Sequence, residues 1–366
     1  MKEYNININR SLSLDIIRII AVISVFIPHW ALINLDQHLF YNKIIKILPI
    51  IGVELFFCLS GYLICSQAIK IINNKDKISQ NLFIYILRRI LRTWPTYFLG
   101  LICYVIYYRY FDINVFYYFF FLQNMFWPII SDTFFSASWS IVIEEYFYLL
   151  YPLIFLFFYK LLNKIPIFLN KNLYIVISCL FIILIISLIR AFIDIDMSNW
   201  GKEIRRLGIY RLDAIAAGGF AAVIYSYVNK MKFFTTISFI LFIISTFFIF
   251  YILYKFMINK SFDNIALGKN GIFYLFMISA SSLIYTLEKS LTITNHKVKI
   301  IIASLSDISY PFYIFHMLLI DLLKNLFINH IWLNFFTTSI ILIIFCYIIR
   351  KYIEVPILSK RPKFID

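Results

Sequence analysis

The chain has 366 residues, of which 62% are hydrophobic, 20% aromatic and only 14% charged, with a formal net charge of +15. A soluble domain carries about 25% charged and about 45–50% apolar residues, and the mean hydropathy here is +0.84. These values exclude an ordinary soluble globule, a disordered chain and a disulfide scaffold, and they read as an all-α polytopic membrane protein. The positive charge does not mark a nucleic-acid binder, because Lys and Arg sit in short connectors between apolar runs and form no basic domain of their own.

A spanning helix needs about 20 mostly apolar residues. Spans are therefore expected near 13–35, 49–70, 89–109, 138–160, 172–193, 211–229, 233–256, 270–287, 304–325 and 331–350. The first follows Arg10 and contains Arg18, as a signal peptide might be built, but it lacks a small-residue cleavage site and is kept as a retained span. Segment 112–131 is also apolar, yet its ends and Pro128 shorten it, and it is read as a re-entrant piece. With that segment not crossing, both termini are cytoplasmic and roughly 22 Lys and Arg fall inside against about 12 outside, as the positive-inside rule requires. The inner set includes Lys70, Lys75, Lys77, Arg88, Arg89 and Arg92, then Lys160, Lys164 and Lys171, and the tail residues Lys360, Arg361 and Lys363. A crossing would throw the Lys160–Lys171 cluster outside. The expected architecture is thus about ten transmembrane helices, in a single integral-membrane domain over 1–366. The Phe- and Tyr-rich stretch 116–127 reads as lipid-facing or interfacial belt. The cysteines (Cys58, Cys65, Cys103, Cys179, Cys346) have unrelated spacings, so neither disulfides nor a structural metal is expected.

The informative residues are the polar ones inside these spans, since a charged side chain at mid-bilayer costs at least about 2.5–3.5 kcal/mol. Span one carries Asp15, Arg18 and His29. Arg18 and His29 share a face roughly 16 Å apart along the axis, and Asp15 lies one turn before Arg18. Glu54, Glu144 and His29 reach comparable depths from the outer end of three helices, and His316 lies somewhat deeper, which points to one shared cavity. At the inner edge, Arg89 and Arg92 share a helix face suited to gripping phosphate. At the outer side Arg205, Arg206, Arg211 and Asp213 form a second polar cluster. Each has a bland alternative: His29 and His316 as structural hydrogen-bond partners, Arg89 and Arg92 as positive-inside anchors, Glu54 and Glu144 as packing-network members, and the outer arginines as interfacial anchors. His38, His296 and His330 fall in or near connectors and are read as exposed.

In order along the chain, Leu14-Asp15-Ile16-Ile17-Arg18 through His29, Gly52-Val53-Glu54-Leu55-Phe56-Phe57 to Ser60-Gly61, Arg89-x-x-Arg92, Trp139-Ser140 through Glu144-Glu145 to Tyr148-Leu149-Leu150, Arg211-Leu212-Asp213, Ser309-Tyr310 through His316, and Ile353-Glu354-Val355-Pro356 resemble the motifs of the acyltransferase 3 family of integral-membrane acyltransferases. Three positions depart from its pattern: Glu54 stands where aspartate is usual, Ile19 replaces a glycine, and Val355 interrupts a Glu-Arg-Pro ending. No fused extracytoplasmic esterase-like domain is expected. The resemblance implies a multi-pass protein of the bacterial cytoplasmic (inner) membrane. It also implies O-acetylation, with acetyl-CoA as co-substrate and no metal, of a carbohydrate such as O-antigen, lipopolysaccharide, another surface polysaccharide or a lipid-linked oligosaccharide.

On this reading Arg89 and Arg92, with Arg88, hold the phosphates of acyl-CoA, and the pantetheine arm passes Arg18. His29 acts as general base on the acceptor hydroxyl, with Glu54 or Glu144 orienting it; a covalent acyl-histidine relay is the second route. Asp15, His316 and Arg211 are site or structural residues. The rival functions are a transporter of a glycan or lipid precursor, which would show related halves around a central site, and a non-enzymatic partner in glycan export.

Overall fold

The computed structural model describes residues 11–35, 42–72, 77–131, 133–162, 171–228, 232–262, 264–327 and 329–365; Arg10, His38, Lys75 and Lys164 lie outside them. Every regular element among the described residues is helical: α1 (Leu12–Asn34), α2 (Asn42–Ile45), α3 (Leu48–Ile72), α4 (Ile78–Tyr108), α5 (Val115–Phe119), α6 (Ser138–Leu162), α7 (Lys171–Phe192), α8 (Leu212–Val228), α9 (Lys232–Asn259), α10 (Ile272–Ser290), α11 (His296–Asp307), α12 (Ser309–Leu323), α13 (Ile331–Ile349) and α14 (Val355–Ser359). Among these, 8 helices are long and apolar enough to cross a membrane, and α11 with α12, bent by 57°, makes a ninth if the pair is one span. The segment expected as the remaining span is α8, whose 17 residues reach roughly 25 Å. It is shorter than its neighbours because a turn, Gly208–Tyr210, precedes it.

Segment 112–131 holds no helix long enough to cross a membrane. Its helix α5 has only 5 residues, and side chains of α4 and α6 hold the rest. Tyr97 Oη donates to the Tyr118 carbonyl at 2.9 Å, and Gln123 Nε2 donates to Tyr97 Oη at 3.2 Å and to Ser138 Oγ at 3.1 Å. These bonds satisfy polar groups that lipid would leave unpaired. Phe111, Phe116, Phe119, Phe120, Phe126 and Trp127 remain exposed around them, as an interfacial belt requires.

The first and last described residues, Ser11 and Ile365, lie toward one face of the bundle. Ser11 Oγ bonds Glu288 at the end of α10, and the C-terminal segment runs along the start of α4. There Asn81 Nδ2 donates to the Ile365 carbonyl at 3.0 Å, Ile365 N donates back to Asn81 Oδ1 at 2.8 Å, and Arg88 Nη1 donates to the Pro362 carbonyl at 2.6 Å.

Two devices fix the centre of the bundle. The first is backbone approach between α3 and α8. A Cβ at Gly61 would fall 1.7 Å from the Ile215 carbonyl oxygen, and one at Gly218 would fall 1.7 Å from the Cys58 carbonyl oxygen. Small residues bring membrane helices this close because van der Waals packing drives their association in lipid. The second is a buried ion-pair layer. Arg211 Nη2 bonds both Glu54 oxygens at 2.8 and 2.6 Å, and Arg190 Nη2 bonds Asp213 Oδ2 at 2.6 Å. The Phe273 ring lies under both guanidinium groups, 4.3 Å from that of Arg211 and 4.4 Å from that of Arg190.

The bend between α11 and α12 follows from Pro311, which has no N–H to offer the Asp307 carbonyl. Helical bonding resumes at Phe312 N to the Ile308 carbonyl, 2.9 Å. The re-aimed α12 places Ser309, Tyr313 and His316 on one face, at successive turns.

Gly218→Val is expected to abolish the monodisperse folded protein in detergent, whereas Gly201→Ala, where nothing lies within 4 Å of the added Cβ, leaves its thermal unfolding unchanged. Arg211→Met is expected to cost about 3–5 kcal/mol by leaving Glu54 buried without its counter-charge, and the double variant Glu54→Leu/Arg211→Met to recover most of that loss. Unfolding curves of the three proteins in the same detergent check this.

Candidate active site

His29 near the far end of α1 and His316 on α12 meet directly: His29 Nδ1 lies 3.0 Å from His316 Nε2, with the rings stacked at 14°. The other nitrogen of His316, Nδ1, lies 2.7 Å from the Tyr313 carbonyl oxygen. A carbonyl only accepts, so His316 Nδ1 carries a proton. With both rings neutral, His316 Nε2 is then the acceptor and His29 Nδ1 the donor, which leaves the lone pair of the pair's outermost nitrogen on His29 Nε2. Backbone geometry at Tyr313 thus sets the tautomer of a ring on another helix.

Toward the face that holds the chain ends, two cavities meet. The inner one, about 80 Å³, is lined by Arg18, Ser60, Arg89, Arg92, Ser140, Glu144, Tyr148, Tyr310 and Tyr313, among others. The outer one, about 470 Å³, shares Arg18, Arg92, Ser309 and Tyr310 with it and adds Gln67, Asp307, Arg350, Glu354 and Arg361. Four guanidinium groups and two carboxylates face this mouth, so its charge is positive. Arg89 is buried between the rings of Tyr85 and Tyr148, 5.6 and 5.2 Å away, and its Nη2 is enclosed without an acceptor. Arg18 bonds Asp15 at 2.7 Å and Ser306 Oγ at 3.3 Å, and Ser306 Oγ in turn donates to Asp15 at 2.8 Å. Arg350 bridges Glu354 at 3.1 Å and Asp307 at 3.5 Å, and Thr96 Oγ1 donates to the other Glu354 oxygen at 2.7 Å.

Tyr313 stands between the inner cavity and the histidine pair. It lines the cavity, its ring centroid is 5.6 Å from that of His316, and its hydroxyl is 2.8 Å from Ser140 Oγ.

The structure brings together Arg18, Arg89, Arg92 and Glu144 in one cavity, and His29 with His316 beside it. It revises three expectations from the sequence. Neither Glu54 nor Glu144 orients His29. Glu54 is engaged bidentately by Arg211, and Glu144 accepts from Ser60 Oγ at 3.1 Å and from Tyr148 Oη at 2.7 Å, so the ring's partner is His316. Arg211, whose guanidinium is fully buried, braces α3 against α8 and does not face the cavity. Arg88 does not join the arginines at the mouth; it bonds the Pro362 carbonyl and lies 4.9 Å over the Phe364 ring. His296 and His330 are exposed, as expected.

Ser140, Tyr313, Arg350 and Arg361 were not singled out from sequence. A serine, a tyrosine or a tail arginine carries no burial anomaly by itself, and only the pairing of α6 with α12 and the return of the C-terminal segment reveal them. Ser140 and Tyr313 do fall within the quoted motif segments, which is the one signal that pointed toward them.

The acyltransferase domain profile of the acyltransferase 3 family matches residues 11–351. No curated protein and no solved structure matches the chain. The matched region contains both halves of the histidine pair and, apart from Glu354, Leu358 and Arg361, every residue that lines the two cavities. The chain belongs to the acyltransferase 3 family and is a membrane acyltransferase.

Proposed function

We propose that the protein moves an acyl group, acetyl by default, from cytosolic acyl-CoA to a hydroxyl of a cell-surface or lipid-linked carbohydrate, with His29 Nε2 as general base. The observation that carries this reading is the hydrogen-bond order Tyr313 carbonyl–His316–His29, which leaves an unprotonated ring nitrogen beside a cavity lined by arginines. The cytoplasmic inner membrane is the expected location, with the arginine-lined mouth and both termini in the cytosol.

The phosphates of the donor suit the positive mouth. Arg92 and Arg18 line both cavities, and Arg89 has an enclosed nitrogen with no acceptor, an arrangement that favours a phosphate oxygen over none. The pantetheine arm then runs through the inner cavity toward Tyr313. His29 Nε2 takes the proton of the acceptor hydroxyl as its oxygen attacks the thioester carbonyl. The tetrahedral intermediate collapses with cleavage of the carbon–sulfur bond, and the imidazolium returns its proton to the departing thiolate. His316 fills the place that a carboxylate holds in a hydrolase triad: it fixes the His29 ring and accepts the Nδ1–H bond of the imidazolium. A neutral acceptor stabilises that cation less than a carboxylate does, and it also spares the bilayer a buried negative charge.

His29→Ala is expected to lower turnover by about 10²–10⁴-fold, the span that general-base catalysis supplies, without changing the KM for acetyl-CoA. His316→Ala is expected to reduce kcat in the same direction by less, since the base survives and only its tautomer and orientation are lost. Arg89→Ala is expected to raise the KM for acetyl-CoA by roughly ten- to a hundredfold, the equivalent of about 1.5–3 kcal/mol for a charged hydrogen bond. Coenzyme A release and base-labile acyl content of surface glycan, measured in membranes with matched protein levels, check all three. Full turnover by His29→Ala would overturn the mechanism, and glycan export without acyl transfer would favour the transporter.

A further inference from the structure

Three buried guanidinium groups, those of Arg190, Arg205 and Arg211, sit at the end of the bundle opposite the donor mouth, where two buried carboxylates, Glu54 and Asp213, answer two of them. Arg205 is the one left over. It is 8% exposed, its guanidinium lies 4.8 Å over the Trp139 ring, and its Nε is enclosed without an acceptor. Among the described residues no carboxylate stands within ion-pair distance of it. Glu54, which lies within its electrostatic reach, is engaged on both oxygens by Arg211.

The placement of Arg205 is built. Arg211, fixed by Glu54, donates through Nη1 to the Arg205 carbonyl at 3.4 Å, and the turn that follows is tied down where Gly208 N donates to the Asn124 carbonyl at 2.7 Å. One ion pair and one backbone bond thus hold the backbone of a cation that has no counter-charge of its own. Arg205 also lies within electrostatic range of both His29 and Tyr313, as does Arg206. Trp139, under its guanidinium, precedes Ser140, the partner of the Tyr313 hydroxyl. The cation therefore flanks the histidine pair on the side away from the donor cavity, where the second substrate has to enter.

We propose that Arg205 is an anion subsite for the acceptor, so that the hydroxyl to be acylated belongs to an acidic glycan or glycolipid. The anion is a carboxylate on the sugar or a phosphate on its lipid carrier; a guanidinium recognises both through the same paired N–H donors. The inference rests on the acyl-transfer reading and names the substrate class of that site. Burial, and next Arg206 beside it, lower the Arg205 guanidinium to about 9; it remains a cation at neutral pH, and a docked anion would relieve both effects.

The test uses the full chain in phosphatidylcholine nanodiscs, whose zwitterionic lipid carries no net negative charge and is common to all three probes. Three probes are bound separately: octyl glucoside, octyl glucuronide and farnesyl phosphoryl glucose. The wild type is expected to bind at least one anionic probe about tenfold or more tighter than the glucoside, and the probe preferred identifies the source of the anion. Arg205→Gln is expected to bring that ratio to within about twofold of one, and Arg205→Lys, which keeps the charge, to retain most of it. Equal affinity for all three probes in the wild type would overturn the proposal. So would an unchanged ratio in Arg205→Gln, including the case in which its kcat falls with the ratio intact, which would assign Arg205 to the reacting carbonyl. Coenzyme A release from acetyl-CoA in the same nanodiscs reads acyl transfer separately. An anion preference with no coenzyme A release from acetyl-CoA in the presence of any probe would keep the subsite and remove the proposed transfer from acetyl-CoA to carbohydrate.

Discussion

A bilayer does not solvate charge, and the interior of this protein is arranged around that fact. Glu54 on α3 and Arg211, immediately before α8, neutralise each other at a helix pair where Gly61 and Gly218 let the backbones touch. Arg190 and Asp213 repeat the arrangement one helix away, with Phe273 between the two guanidinium groups. Once these pairs are closed, the remaining ionisable side chains stand out as groups with something else to do. Arg18 bonds Asp15 and Ser306 at the cavity wall, and Arg89 keeps an enclosed nitrogen without an acceptor. The functional part of the molecule is therefore the residue of an electrostatic balance, and it is legible only after the structural pairs have been subtracted.

The histidine pair fits the same constraint. A carboxylate beside His29 would strengthen the base, but it would add a second buried charge each time the donor is absent. His316 supplies direction without that charge, because its own proton is pinned by a backbone carbonyl. The meeting with His29, though not the pinning itself, follows the bend at Ile308, which aims α12 at a different angle from α11. Pro311 is thus tied to the chemistry through helix geometry, although it touches neither ring of the pair.

Much of this was readable from the sequence, and the part that was not has a physical explanation. Hydropathy located every long helix, because burial in lipid requires contiguous apolar residues whatever the tertiary packing. It also placed α8, expected over 211–229 and found as Leu212–Val228, although it has only 17 residues. The common level expected for His29, Glu54 and Glu144 is not what the helices show, since Glu144 bonds Ser60, six residues along α3 from Glu54; only the order of groups along one helix follows from sequence position. Azimuth does not. Glu54 and His29 stand on adjacent helices, yet Glu54 bonds Arg211 beside α8 and His29 meets His316 on α12. Which of several polar groups at one level meet is decided by helix rotation and bending, and one-dimensional spacing carries that only within a single helix. The same limit hid the role of Arg88, which the returning C-terminal segment claims from nearly three hundred residues away in sequence.

The hydrogen bond between Tyr313 and Ser140 has a consequence for the cell rather than for the reaction. A polar stripe that runs from an arginine-lined mouth to a histidine pair is, in outline, a path along which protons or small ions cross a membrane. The two hydroxyls, 2.8 Å apart, lie across that path between the cavity and the rings. Their partners are aromatic, with Phe56 5.6 Å from the Tyr313 ring, so the closure is apolar on its flank. The protein can in this way hold a continuous set of charged side chains within the bilayer and still preserve the electrochemical gradient across it.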